Sequence, residues 1–117
     1  MSYLDGMMVP VPADRRNDYL RKAREHAELF KAAGALQVLE SWGDDIPDGQ
    51  STDMKRAIAL QPGETVVFSF ILWPSKAVRD AAWPELMQDP RMAMEAQVFN
   101  MTRMIHGGFD VLYNSGD

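Results

Sequence analysis

With 117 residues and a formal net charge of −5, the chain can bury one core. It is too acidic for a nucleic-acid or anionic-membrane surface, both of which need basic patches. The absence of cysteine excludes disulfides, thiolate metal sites and cysteine nucleophiles. A hydrophobic share of 46% with 25% charged residues is that of an ordinary globular domain.

One domain over residues 1–117 is expected. No apolar run approaches the ~20 residues of a membrane span, and the start "MSYLDGMM" lacks a signal-peptide pattern. A cytoplasmic location is therefore expected. The opening "SYLDGMMVPVP" has extended character and ends at Pro10 and Pro12. An amphipathic helix is predicted over about residues 13–33, with Tyr19, Ala23, Ala27, Phe30 and Ala33 as its buried stripe. Asp18 and Lys22 are spaced for an i,i+4 ion pair, and Gly34 stands where a helix-ending glycine belongs.

"ALQVLESW" reads as the second strand, followed by a long loop from Gly43 to Gly63 with an ordered piece at "MKRAIAL". "ETVVFSFILW" is the third strand, β-branched, aromatic and apolar enough to be covered on both faces. Ser75 is the expected N-cap of a second long helix, which Pro84 should break or kink between Asp80 and Pro84. "DPRMAMEAQ" restarts a short helix capped by Asp89, and "RMIHGGFDVLY" is the fourth strand. Gly107 and Gly108 allow a close approach or mark a bulge.

The order β-α-β-β-α-β is the ferredoxin-like pattern: an α+β fold with a four-stranded antiparallel sheet and helices on one face. Alternation divides the third strand into Val66, Phe68, Phe70 and Leu72 against Val67, Ser69, Ile71 and Trp73. The second set is expected to face away from the helices, with Met104, Leu112, Met7 and Val9. A second copy of the chain would then cover this apolar face, making a homodimer.

The acidic stretch "ESWGDDIPDGQ", residues 40–50, invites a calcium reading. An EF-hand loop begun at Asp44 would put Ile46 and Lys55 where ligands are required, so no calcium site is expected. Ile46-Pro47-Asp48-Gly49 reads as a type I turn. Asp44 and Asp45 are either a solvated rim or site residues at a strand end. His26 reads as a structural histidine at the edge of the helix stripe. His106 shares a strand face with Asp110, which Asp5 and Ser69 could join. Such a group is material for acid–base chemistry, or for a hydrogen-bonded dimer interface. Two histidines without ligand spacing imply no metal site. The nine methionines fill core gaps or line a pliable pocket.

Together "YLDGMMVPVP", "WGDDIPDG" (42–49), "VVFSFILWPSKAVRD" (66–80), "DPRM" (89–92) and "RMIHGGF" (103–109) resemble the bacterial YbaA-like family of unknown function, within the dimeric α/β-barrel class. The resemblance spans essentially the whole chain. It implies a ferredoxin-like protomer, a homodimer with facing sheets, and no named activity or cofactor. His106 stands where the family usually has tyrosine, Leu72 where glutamate is common, and Pro84 is unusual. Trp42, Asp44, Asp45 and Arg103 match the family.

More distant members of the barrel class include cofactor-free monooxygenases, haem-degrading enzymes and small isomerases. The expectation is therefore a protein that binds or transforms a small metabolite. The catalytic candidates are Asp5, Asp44, Asp45 and His106. Trp42 would pack on an apolar ligand and Arg103 would hold an anionic group. A non-catalytic ligand-binding or stress-related dimer and a protein-docking subunit are the alternatives. An enzyme should hold a carboxylate of raised pKa in a cleft, whereas a binding module should have an apolar pocket without one.

Overall fold

The computed structural model describes residues 1–93 and 101–116. Four strands, β1 (Tyr3–Pro12), β2 (Gln37–Trp42), β3 (Glu64–Trp73) and β4 (Ile105–Asp110), form one sheet in the order β2-β3-β1-β4. All three pairings are antiparallel. The helices are α1 (Arg16–Ala32), the single-turn α2 (Met54–Ala57) and α3 (Lys76–Leu86), with 3-10 turns at Ala13–Arg15 and Pro90–Met92. This is the expected ferredoxin-like βαββαβ arrangement.

Register fixes which residues share a face. One cross-strand row joins Val38, Ile71, Asp5 and Gly108; the next joins Glu40, Ser69, Met7 and His106. These residues face α1 and α3. Ile71, Trp73 and Tyr3 pack against Leu29 and Phe30 of α1 and Ala82 and Leu86 of α3. Val67, Val9 and Val11 pack with Tyr19 and Ala23.

The alternation on β3 is therefore as expected, but the sides are exchanged. Val67, Ser69, Ile71 and Trp73 look toward the helices, as do Met7 and Val9. The outward set is Val66, Phe68, Phe70 and Leu72. Both sets are apolar, so alternation alone cannot choose between them. Ser69, the one polar member, points into a cavity and not into water.

Among the described residues, the outward face is covered at one end only. Ile46, Ile58 and Leu60 from the segment between β2 and β3 pack on Met8 and Val66. Beyond that cover, Leu39, Phe68, Ile105 and Phe109 remain exposed, Phe109 by 56%. Leu112, 91% exposed, follows β4.

Several local expectations are met by side-chain chemistry. Ser75 Oγ accepts the Val78 N–H at 3.2 Å, and Asp89 Oδ1 accepts that of Arg91 at 2.9 Å. The short helix expected after Asp89 is a 3-10 turn as far as Met92; its continuation, residues 94–100, lies outside the described residues. The GG pair holds no bulge, since the β1–β4 register is unbroken. Instead Gly108 gives up its side chain to the Tyr3 ring, whose hydroxyl would lie 2.3 Å from an added Cβ.

Three expectations fail. The helix Lys76–Leu86 runs through Pro84 without a break. Asp80, whose carbonyl loses a donor, is exposed and can use water, while buried Ala82 and Leu86 hold the turns around the proline. No turn forms at residues 46–49. That segment is held from outside: Asp48 pairs with Lys55 at 2.6 Å, and the Gly49 carbonyl accepts from Arg56 Nη2 at 2.6 Å. Asp18 pairs with Arg15 at 2.6 Å and not with Lys22, which lies 3.8 Å from Glu25.

Gly34 ends α1 with φ at 116°, and an added Cβ would sit 2.9 Å from Val78 Cγ1. Gly34→Ala should therefore cost about 1–3 kcal/mol. A urea denaturation midpoint unchanged from the parent would contradict this.

Candidate functional site

A cavity of about 540 Å3 lies between the sheet and the helices, within the ~300–1,000 Å3 usual for small-molecule sites. Its floor is the inner face of the sheet, with Asp5, Met7 and Val9 from β1, Glu40 from β2 and Ser69 from β3. Tyr19, Ala23, His26 and Phe30 of α1 form one wall, and Arg79 and Trp83 of α3 another. Met87, Met92, Met101, Met104 and His106 complete the lining. Unbranched, polarizable thioethers make such a lining adaptable.

Two carboxylates on this face have different surroundings. Asp5 is buried and its oxygens are saturated. Oδ2 accepts the indole N–H of Trp73 and of Trp83, each at 2.9 Å, while Arg79 donates to Oδ1 from Nε at 3.1 Å and Nη2 at 2.8 Å. Arg79 also donates to Asp80 at 2.9 Å and stacks over the Tyr3 ring at 5.2 Å. Its own pKa is driven further above the usual arginine range, chiefly by the bond to Asp5.

Glu40 has no cation. It stands directly across β2–β3 from Ser69, and its Oε1 accepts the Tyr19 hydroxyl. The residue as a whole is exposed and lines the cavity, with its carboxyl set against Tyr19. Burial pushes its pKa above the ordinary glutamate range, while Tyr19 and Ser69 pull it partly back. Burial, and then the Glu40 charge, raise the Tyr19 phenol well above its usual range. Tyr19 therefore remains a proton donor to Glu40.

His26 is buried, and its Nε2 donates to the Arg91 carbonyl at 3.0 Å. Burial lowers its pKa, with a smaller contribution from Lys22. The ring is thereby held neutral. His106 lies in the same cross-strand row as Glu40, three strand spacings away, or roughly 14 Å. No direct bond joins them, but a bound molecule could touch both.

Of the candidates read from sequence, Asp5 and His106 line this cavity. Asp44 and Asp45 are exposed and do not. Trp42 packs beside Tyr19 at 6.3 Å between ring centroids, with the Arg16 guanidinium 5.9 Å above it. It braces the wall from behind. Arg103 is held by Glu64, whose oxygens it meets at 2.7 and 2.6 Å, and by the Ala59 carbonyl at 3.0 Å. This ties the approach to β4 onto the start of β3.

Tyr19, Glu40, Arg79 and Trp83 were not singled out from sequence as site residues. One signal was available: Glu40 occupies the same strand parity as Val38 and Trp42, an acid where an inward apolar residue is the rule. Among the described residues no cluster of three histidine, aspartate or glutamate side chains could hold a metal ion. None of the described helices is long and apolar enough to cross a membrane.

The chain is similar to other sequences and to solved structures. A family model described as "Protein of unknown function (DUF1428)" matches residues 2–102. The uncharacterized protein YbaA of Escherichia coli K12 is 48% identical over 112 residues, 94% of this chain and 96% of that protein. Among solved structures, SnoaB, a cofactor-independent oxygenase from Streptomyces nogalater, has a TM-score of 0.58 at 13% identity, covering 99% of this chain and 98% of its own. Rv0793 from Mycobacterium tuberculosis has a TM-score of 0.52 at 13% identity, covering 98% and 99%. At such identities the likeness concerns the fold alone. That fold is the ferredoxin-like βαββαβ one.

The raised Glu40 pKa has a stability consequence. The folded state holds this proton more tightly than the unfolded chain. Its contribution is complete below the ordinary glutamate range and is lost as pH rises through the raised folded value. Glu40→Gln, which keeps an acceptor for Tyr19, should match the parent near about pH 4 and be the more stable protein near about pH 8. Parallel thermal melts at both pH values would expose an error if the gap failed to widen with pH.

Proposed function

The chain belongs to the DUF1428 family of proteins of unknown function, and we propose that it is a homodimeric enzyme acting on a small, largely apolar molecule held in this cavity. Glu40 takes a proton from the substrate, Tyr19 orients it, and His106 lies at the far end of the same row. The observation that carries the reading is the Glu40 carboxyl, its pKa raised by burial in a largely apolar cavity and hydrogen-bonded to a phenol that stays protonated. A carboxylate of raised pKa is a stronger base than one in water, and its value moves toward the working pH.

The chemistry follows from the groups present. The substrate's acidic O–H or C–H bond breaks, the proton goes to Glu40, and the electron pair stays on the substrate. Electron-rich anions of this kind isomerise or react with dioxygen. The fold shared with a cofactor-independent oxygenase is compatible with either outcome, as analogy only. Asp5 is a poor candidate for the base, because indole and guanidinium donors occupy its oxygens. Asp44, Asp45, Trp42 and Arg103 have no part in the step.

The test uses protein carrying 13C-methyl methionine, in D2O. Small aromatic and alicyclic carbon acids should shift the signals of Met7, Met92 and Met104 saturably. At least one should lose a proton to deuterium faster with the parent than with Glu40→Gln, by the 10²–10⁴ typical of a positioned base. Binding with no exchange across the panel would leave a carrier and remove the catalytic claim.

The homodimer is supported by the uncovered outward face. The row Leu72–Leu4–Phe109 crosses β3, β1 and β4, flanked by Leu39, Phe70, Phe68 and Ile105, while Met8 lies under the cover. Such a patch favours burial at ~25 cal/mol per Å2 before association costs. Light scattering should give twice the chain mass, with more than about 1,000 Å2 buried in total. Phe68→Asp should yield a folded monomer, because this side chain is outside the core; Ile71→Asp would instead disrupt the core. A parent monomer at micromolar concentration would end the dimer proposal.

A further inference from the structure

We propose that the cavity selects uncharged ligands carrying a weakly acidic O–H group and rejects anions of the same shape. This rests on the reading of the cavity as a substrate site and assigns its substrate class. The argument is one of charge. Among the described residues that line the cavity, Arg79 is the sole lysine or arginine. Its Nε and Nη2 are committed to Asp5 and its Nη1 to Asp80. Asp5 therefore balances the charge of the one guanidinium in the described lining that could have met a carboxylate or phosphate ligand.

No other cation replaces it. His26 donates Nε2 to the Arg91 carbonyl and is kept uncharged by burial. His106 lies at the far end of the row, roughly 14 Å from Glu40. Lys22 of α1 pairs with Glu25 and is not part of the lining. Residues 94–100, "MEAQVFN", contain no lysine, arginine or histidine. The rest of the described lining is thioether, aliphatic and aromatic, apart from Tyr19, Ser69 and Glu40.

In this setting an anion would lose its water and gain only Glu40 as a neighbour, bringing two negative charges together without a counterion. A neutral ligand with an O–H meets the opposite situation. A carboxylate is a pure acceptor with capacity for more than the Tyr19 bond, and an O–H donor fills it. The net charge of ligand and Glu40 together stays at one negative unit whether the proton lies on the ligand oxygen or on Glu40. Proton transfer therefore redistributes charge without adding any.

Three probes of one shape test this by Trp fluorescence and calorimetry on the full chain at neutral pH: naphthalene, 2-naphthol and 2-naphthoate. 2-Naphthol should bind at least about tenfold tighter than 2-naphthoate. Glu40→Gln should shrink that ratio toward one. Asp5→Asn, which releases Arg79, should raise 2-naphthoate affinity by about tenfold or more; if it does not fold, the Glu40→Gln ratio decides. Naphthalene failing to bind would sink the underlying cavity reading. Naphthalene binding while 2-naphthoate equals 2-naphthol in the parent would overturn the charge selection alone, as would a ratio untouched by Glu40→Gln.

Discussion

The buried charge of Asp5 organises this molecule. A carboxylate removed from water must be given donors or it destabilises the fold. Here the donors are Trp73 from β3 with Trp83 and Arg79 from α3. Satisfying one acid on the first strand thus docks α3 against the sheet. It also sets the aromatic packing: Trp83 meets Phe30 of α1 at 5.4 Å between centroids, and Phe30 meets Trp73 edge-on at 6.5 Å. The polar knot and the aromatic cluster form one continuous unit, and the cavity is the space beside it. Removing one partner would strand the others, at roughly 3–5 kcal/mol for a broken buried pair.

Asp5 and Glu40 illustrate how surroundings divide labour between like groups. Both project from the inner face of the same sheet, two strands apart. Asp5 is matched by a guanidinium and two indoles, so its lone pairs have no capacity left for a ligand. Glu40 is matched by a phenol and a hydroxyl, neither of which compensates its charge. One acid holds a wall in place, while the other remains chemically available.

Much of the fold was legible in the sequence because local chemistry decided it. The bounds of β3, the Ser75 and Asp89 caps and the glycine that ends α1 all follow from side chains acting on their own backbone. The orientation of the sheet was not legible, since Val66, Phe68, Phe70 and Leu72 are as apolar as the set that faces the helices. Ser69 misleads here, because a lone serine in an apolar strand reads as outward when it can equally face a polar cavity. The site was legible in part. Asp5, Ser69 and His106 were grouped on one face by alternation alone, and they do share it. Glu40 was visible in the acidic run "ESWGDD" and by its inward parity on β2, and Tyr19 only as a core residue. Their partnership depends on how α1 crosses β2, which no local pattern encodes.

The row Glu40–Ser69–Met7–His106 has one more consequence. Its members come from four strands, so their spacing is the spacing of the hydrogen-bonded ladder. No loop conformation enters it. A one-residue slip of β2 would exchange Glu40 for Leu39 or Ser41 and turn the acid to the far side of the sheet. The layout of the polar groups is thus a digital property of strand register, insensitive to small breathing motions of the helices above. Helix movements can change the volume of the cavity while the acid and the imidazole keep their separation. The spacing of the acid and the imidazole is thus set by the sheet, while the helices set the volume of the cavity above them and, through Tyr19, the orientation of the acid.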